Sequence, residues 1–276
     1  MKKTRIGNPL VSSPYVVWSV IFIVVPLLMV AYYSFTDAAG NFTFEYVGKI
    51  VEYNYLKIFG VSILYAFLAT VITLLISYPL AYFMTKTKLS TQGTLMLLVM
   101  LPMWMNLLIR TYSLSAILER NGIINTFLEN IGLEKVQLIN TSGAVILGMV
   151  YNFIPYMILP IYSSLSKLDK SLLEASSDLG SNGFNTLRRV IIPLSMPGVI
   201  SGITMVFVPS VSTFYISQKL GGIRNELIGD VIEQQFKLNS NYNMGAALSL
   251  VLMVMILISL AIMNKFASDD DGGVIV

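Results

Sequence analysis

The segment Leu168–Gly198, LDKSLLEASSDLGSNGFNTLRRVIIPLSMPG, is a long charged segment between two apolar runs. Only 12% of the chain is charged, whereas 55% is hydrophobic. Most connections between helices need only a few residues. We therefore expect this segment, called here the polar loop (about residues 167–197), to have structure and a task of its own.

The pattern inside the polar loop predicts a short helix. Ser171 and Glu174 have the spacing of a capping box, in which the two side chains satisfy the free N–H groups of the first turn. Asp178 continues the polar stripe of this helix, and Gly180 can supply the left-handed residue that ends it. A narrow, mostly small face lies beside the stripe: Leu172, Ala175, Ser176 and Leu179.

A second helical element is expected from Phe184 to Ile192, with Pro193 and Pro197 at the entry to the next apolar run. Two interpretations of the whole loop remain open. A helix–turn–helix with a small face fits a cleft in a partner protein. An amphipathic hairpin on the membrane surface, with Arg188 and Arg189 at lipid phosphates, has the same pattern.

Outside the polar loop the chain is a series of apolar runs, each near the 20 or so helical residues that cross a bilayer. The runs lie at about 15–35, 61–84, 94–118, 143–165, 198–217 and 244–263. We expect an all-α polytopic membrane protein with six transmembrane helices and one domain over residues 1–276.

The distribution of basic residues predicts that both termini are cytoplasmic. With the N-terminus inside, the shorter inner segments carry most of the Lys and Arg, as the positive-inside rule requires: Lys2, Lys3, Arg5, Lys86, Lys88, Lys167, Lys170, Arg188, Arg189 and Lys265. A cleaved signal ending at Ala38–Ala39 is the alternative for the first run. That run is too long for a signal and five more follow, so an uncleaved helix is expected.

Composition excludes most other functions. The chain has no Cys and no His, which removes thiol nucleophiles, imidazole bases and the usual zinc ligand sets. Its net charge of +3 is spread over several loops without a basic block, so a nucleic-acid partner is not expected.

Prolines inside the runs mark candidate cavities, because they leave backbone carbonyls unpaired at membrane depth. Polar and aromatic residues near them are the candidates for a substrate path: Trp104, Asn106, Arg110, Tyr151, Asn152, Tyr156, Phe214 and Tyr215. The aromatics also fit ordinary helix packing or interfacial belts. The two amides must face protein or water. Pro102, Asn106 and Arg110, spaced by four, are expected on one helix face.

The polar loop resembles the EAA signature of bacterial ABC importer permeases, E-A-A, three residues, G, nine residues, I-x-L-P. Glu174, Ala175, Gly180 and Pro193 match this signature, and Ser176 replaces its second alanine. The flanking LPIYSSLSKLDKSLLEASSDLG and IIPLSMPG, with GGIRNELIGDVIEQQF further on, are similar to the spermidine/putrescine permease branch.

That resemblance implies the type I ABC importer permease fold in a bacterial cell membrane, with a cytoplasmic coupling helix between the fourth and fifth spans. It implies a second permease, a cytoplasmic ATPase in two copies that binds ATP and Mg, and an external polyamine-binding protein. The coupling positions would be Glu174, Ala175, Ser176, Asp178 and Gly180. No G-x-x-x-x-G-K-[ST] phosphate loop occurs in this chain, so ATP must bind to another subunit.

A polyamine cargo sets conditions on the path. None of the predicted spans contains Asp or Glu, so the path should bind a cation only weakly. Arg110 would repel a polyamine and is interpreted as structural or gating, paired with an acid of an outer loop or of another subunit. The acids Glu226, Asp230 and Glu233 could guide a polyamine inward, or could simply lie in a solvated loop.

Other functions stay open at this point. A related importer could carry another cation, an anion or a metal complex. A stand-alone secondary transporter or channel is disfavoured by the lack of intramembrane carboxylates and of visible repeats. A membrane enzyme is disfavoured by the missing nucleophile and base.

Overall fold

The computed structural model describes residues 9–271, and the long elements of that range are all α-helices. Lys2, Lys3 and Arg5, which contributed to the predicted orientation, lie outside the described residues. The chain divides into two compact units, and each is described by itself.

One unit comprises the residues up to Leu56 together with Val231–Val254. Its helices before residue 50 are α1 (Pro9–Ser19), α2 (Val25–Ser34) and α3 (Glu45–Lys49). The rod Ser13–Ser34 is long and apolar enough to cross a membrane, and none of its most apolar part is buried. The amide of Asn243 donates to the carbonyl of Thr36 at 2.6 Å, which ties a later helix of this unit to the end of α2.

The other unit comprises Lys57–Asp230 and the residues from Met255. The remaining helices, three of which have residues in both units, begin with α4 (Tyr53–Lys86), α5 (Leu89–Trp104), α6 (Leu107–Leu118), α7 (Ile123–Asn130) and α8 (Ser142–Ser166). They continue with α9 (Lys170–Asp178), α10 (Gly183–Thr186), α11 (Ile192–Ser212), α12 (Tyr215–Leu220), α13 (Ile228–Lys237) and α14 (Tyr242–Asp271).

The core of this second unit lies between α8 and α11, the most extensively packed helix pair. Met149, Met157 and Ile161 of α8 and Val199 and Val206 of α11 are buried there. Because lipid is as apolar as these side chains, close packing and interhelical hydrogen bonds hold such helices together. One such bond joins the hydroxyls of Tyr78 and Ser195 at 2.9 Å.

The structure contains two π-turns, Val20–Val24 and Leu187–Ile191. In each case a proline is the second residue after the turn. The N–H of Ile192 donates to the carbonyl of Leu187, five residues back, and Pro193 follows. A wider turn accommodates a residue that has no N–H without breaking the helix. The second element of the polar loop is therefore continuous with the next span, as one rod over Gly183–Ser212.

The structure confirms that the predicted spans are long apolar helices, and it changes the description of two of them. Five helical rods are long and apolar enough to cross a membrane within residues 9–271. The predicted third span, 94–118, is wrong as a straight helix: α5 and the helical stretch Leu107–Asn130 meet at 92°. Met105 and Asn106 are extended between them, and α5 ends two residues after Pro102.

The predicted fifth span, about 198–217, belongs to a longer helical rod that starts fifteen residues earlier, at Gly183. Pro193 lies in the first turn of α11, as expected, but the π-turn before it continues the helix on the N-terminal side. The rod stops at Ser212, because Thr213 is extended, and α12 is a separate short helix.

Candidate functional site

The first helix of the polar loop, α9, begins at Lys170 and is capped by Asp169. The carboxylate of Asp169 accepts the N–H of Ser171 at 3.0 Å, and this bond holds the pKa of that carboxyl below its ordinary value. The predicted Ser171–Glu174 capping box is therefore wrong, because Ser171 is already helical. The cap contributes stability above the ordinary pKa of the carboxyl and loses it as the pH falls through the lowered value.

The end of α9 follows the prediction for Gly180, which has a φ of 77°. The N–H of Gly180 donates to the carbonyl of Ser177 at 2.9 Å, and the N–H of Ser181 donates to that of Ser176 at 3.1 Å. This pair of bonds is a Schellman motif, and it needs a left-handed residue at Gly180.

A second contact fixes α9 against α10. The hydroxyls of Ser176 and Thr186 are 3.0 Å apart, and Ser176 is buried. Asn182 caps α10 by accepting the N–H of Asn185 at 2.8 Å. The turn is thus stabilised by the Ser176–Thr186 contact and by the cap of α10. Ser176 packs inside the loop and is not available on its surface.

The other predicted coupling residues face outward. Glu174, Ala175 and Asp178 are exposed, and Leu179 is 88% exposed. Phe184, at the start of α10, is exposed as well. Two carboxylates and two large apolar side chains on a rigid, capped turn make a surface that can bind another protein.

A crevice of about 670 Å³ adjoins this surface, between α9 and the connection from α4 to α5. Lys86, Lys88 and Glu174 line it with charge. Gln92 secures that connection: its amide N–H donates to the carbonyl of Thr87 at 2.9 Å, and its amide oxygen accepts the hydroxyl of Tyr162 at 2.8 Å.

At the break between α5 and α6 the chain exposes Trp104 and Asn106. The indole of Trp104 is 74% exposed, and the amide oxygen of Asn106 caps α6 by accepting the N–H of Leu108 at 2.7 Å. Pro102, Asn106 and Arg110 therefore do not share one helix face as predicted, because the helix axis turns between them.

Arg110 lies inside the chain, with 4% of its surface exposed. Its guanidinium donates to the carbonyl of Asn152 at 3.3 Å. The buried amide of Asn152 donates in turn to the carbonyl of Gly148 at 2.9 Å and to the hydroxyl of Thr111 at 3.3 Å. No ion pair is recorded for Arg110 within the described range, so its contacts here are those of a clamp between α6 and α8.

The predicted aromatic residues fall in two groups. Tyr151 and Phe214 are exposed, and Phe214 lies at the break between α11 and α12. Tyr156 is half-buried beside Phe153, with ring centroids 6.3 Å apart, and Tyr215 is also half-buried.

The chain from the second break to the start of α13, called here the 213–230 segment, contains residues that the sequence interpretation missed. The N–H of Ile228 donates to the buried hydroxyl of Ser62 at 2.8 Å, and the Tyr65 hydroxyl donates to the amide oxygen of Asn225 at 3.2 Å. Ser62 and Tyr65 are spaced one helical turn apart near the start of an apolar span, which is a signal that could have found them.

The acids predicted to guide a cargo are arranged differently from one another. Asp230 is buried, and its carboxylate accepts the N–H of Leu227 at 2.7 Å. Glu226 is half-buried, and Glu233 forms an ion pair with Lys237. Asp230 is thus part of the internal structure of the 213–230 segment.

Comparisons with known proteins agree with this architecture. Residues 5–268 match the family model of the binding-protein-dependent transport system inner membrane component. The chain is 39% identical to the spermidine/putrescine transport system permease protein PotB of Haemophilus influenzae. The aligned region of 246 residues covers 86% of each chain.

Solved structures share the fold. A bacterial ABC transporter that imports the acidic polysaccharide alginate superposes with a TM-score of 0.80 at 14% identity, over 93% of each chain. The same kind of transporter in complex with a periplasmic protein bound to an alginate pentasaccharide gives 0.74 at 13% identity, over 92% of this chain and 91% of that one.

Proposed function

We propose that this chain, which belongs to the family of inner membrane components of binding-protein-dependent transport systems, is the permease subunit of an ATP-driven importer of spermidine and putrescine. The choice of this cargo rests on the 39% identity to a spermidine/putrescine permease over most of both chains. The fold alone does not choose a cargo, because the superposable alginate transporter imports a polyanion.

The polar loop supplies the coupling to ATP hydrolysis. Glu174, exposed on a helix that is capped at both ends, can accept a charge-assisted hydrogen bond from an Arg or Lys of an ATPase. Ala175 permits close approach of the partner backbone, and Leu179 offers an apolar contact. ATP and Mg bind on that partner. The rod from Gly183 to Ser212 then transmits movement of the loop to the core, because it packs along α8.

The translocation path passes the two helix breaks. Backbone carbonyls at the C-terminal ends of α5 and α11 carry the negative end of the helix dipole, and the exposed rings of Trp104 and Phe214 lie beside them. Such groups attract an ammonium weakly without a carboxylate, as a path that must release its cargo requires. Asn106 and Tyr151 are further exposed candidates, whereas Arg110 and Asn152 act as structural residues.

The family supports the following set of partners. This chain forms half of the pathway with a second permease, two ATPase copies lie on the cytoplasmic side, and a polyamine-binding protein delivers cargo from outside. The complex of the alginate transporter with a periplasmic protein supports this kind of assembly. The unburied rod Ser13–Ser34 has room for the second permease. Both termini are placed in the cytoplasm of the bacterium by the distribution of Lys and Arg.

Reconstitution tests this proposal directly. The chain, its second permease, the ATPase and the binding protein are assembled in liposomes, and ATP-dependent uptake of labelled spermidine is measured. Excess putrescine should compete for uptake, and an acidic oligosaccharide should not. Uptake of a different cargo class, or spermidine uptake that is independent of ATP, would contradict the proposal.

A further inference from the structure

The connection between α6 and α8 has an inverted polarity. In α7 the polar residue Asn125 is completely buried, whereas Ile123 is 71% exposed and Phe127 is 62% exposed. Ile131 and Leu133, which follow the helix, are exposed as well. In a segment surrounded by water, the apolar side chains would lie inside and the amide outside.

This apolar display is built into an ordered structure. The amide of Asn125 donates to the carbonyl of Val136 at 3.0 Å and accepts the N–H of Val136 at 2.8 Å. These two bonds join α7 to the chain that follows it. After the helix, the N–H of Leu133 donates to the carbonyl of Leu128 at 2.9 Å. The exposed residues are therefore held outward by a hydrogen-bonded frame.

The charges of the segment lie around the apolar face. Lys135 pairs with Glu129 at 3.1 Å, at the end of the helix. Arg120 and Lys135 line a cavity of about 410 Å³ on the same segment. The segment also carries the acids Glu119, Glu129 and Glu134, so charges of both signs accompany the apolar face. An uncharged apolar face on a segment whose other residues are polar or charged is the pattern of helices that lie at the boundary between lipid acyl chains and phosphate headgroups.

The apolar face also continues the surface of a span. The stretch Leu107–Asn130, together with α5, is apolar enough to count as one broken span. In the part before α7, Leu108, Ile109 and Tyr112 are exposed. The exposed apolar surface of α6 is thus followed directly by the apolar face of α7.

We infer that the face formed by Ile123, Phe127, Ile131 and Leu133 lies in the outer lipid–water interface and anchors the third span there. The partner is the bilayer: acyl chains contact the apolar side chains, and Arg120 reaches a lipid phosphate. The inference goes beyond transport of any particular cargo and holds for any substrate of this permease.

The test uses the absence of cysteine from this chain. Phe127→Cys and Ile123→Cys are labelled with a nitroxide in the complete transporter, with cysteine-free partner subunits, in liposomes of phosphatidylethanolamine and phosphatidylglycerol. Thr126→Cys, at an exposed polar position of the same helix, is the control. The ratio of collision rates with oxygen, which partitions into lipid, and with a water-soluble nickel complex is measured. Each variant is first shown to assemble with the partner subunits in the membrane.

At both apolar positions the ratio should exceed that at Thr126 several-fold, and adding the binding protein should not change it. A ratio equal to the control would place the face in water and overturn the inference. Shielding from both probes would show contact with the second permease. Shielding only after the binding protein is added would make the face a protein docking surface, which also overturns the inference. None of these results depends on which cargo is transported.

Discussion

The polar loop and the 213–230 segment are both connections next to a helix end, yet the acids Glu174 and Asp230 have opposite surroundings. In the polar loop, Glu174 and Asp178 are exposed on a helix that its own caps stabilise. In the 213–230 segment, Asp230 is buried and accepts a backbone N–H. The difference separates two roles for an acid in such a connection: an exposed carboxylate is accessible to a partner protein, and a buried one stabilises the fold of its own segment.

The largest effect is expected from Glu174→Arg. If this carboxylate meets a cation of the ATPase, reversing its charge costs about 2–5 kcal/mol, enough to reduce coupled uptake more than about tenfold. Abundance in the membrane should stay unchanged, because the side chain is exposed. Uptake and stimulated ATP hydrolysis are measured, with Ser177→Arg, exposed on the same helix, as the control. An equal loss of uptake in both variants would show that an arginine anywhere on this surface disturbs coupling and that the exposed Glu174 carboxylate has no specific role.

Gly229→Ala tests the enclosed side of the comparison. A Cβ at Gly229 would lie 2.5 Å from the carbonyl oxygen of Thr213, so the backbone of the 213–230 segment must shift. Such overpacking costs about 1–3 kcal/mol. Gly60→Ala is the matched control, because a Cβ there meets nothing within 4 Å and alanine favours the helix by roughly 0.5–1 kcal/mol. Thermal unfolding of the purified transporter should move in opposite directions; a neutral Gly229→Ala would mean that the segment is not tightly packed.

Ser62→Ala removes the acceptor of the Ile228 N–H. Leaving a buried donor unsatisfied costs about 1–3 kcal/mol, and we expect the lower half of that range because a neighbouring carbonyl or water can adjust. Ser210→Ala is the control, since the Ser210 hydroxyl is also buried but donates only to Val206 of its own helix. Hydrogen exchange over residues 226–231 should accelerate in Ser62→Ala alone. Equal exchange in both variants would show that this hydrogen bond does not hold the segment.

The smallest effect is expected from Ser176→Ala, which breaks the contact between α9 and α10. A neutral hydrogen bond at this position contributes about 0.5–1.5 kcal/mol, and the capped helix remains. We expect a decrease of at most a few degrees in the unfolding temperature and a modest decrease in uptake per ATP hydrolysed. Ser177→Ala, whose hydroxyl bonds only within α9, serves as the reference. If the two variants couple equally well, the rigidity of the turn is not needed for transmission.

Much of this molecule could be predicted from local sequence. Apolar runs of about 20 residues predict spans because a bilayer imposes that length, and a glycine after a polar helix predicts its left-handed end. The capping box was wrong by a narrow margin: Asp169 and Ser171 are both good caps, and only the starting residue of the helix selects between them. Whether the predicted site residues contact substrate or ATPase stays a prediction.

The class of protein, the number of apolar runs and the helix–turn–helix of the polar loop could be predicted, because each depends on composition or on neighbours within a few residues. The breaks in the third and fifth runs, the hydrogen bonds of Arg110 and Asn152 between α6 and α8, and the burial of Asp230 became visible only in the folded chain. The physical reason is that a buried polar group must find a partner, and its partner lies 42 residues away for Arg110 and 166 residues away for Ser62. Local pattern carries no record of such distances.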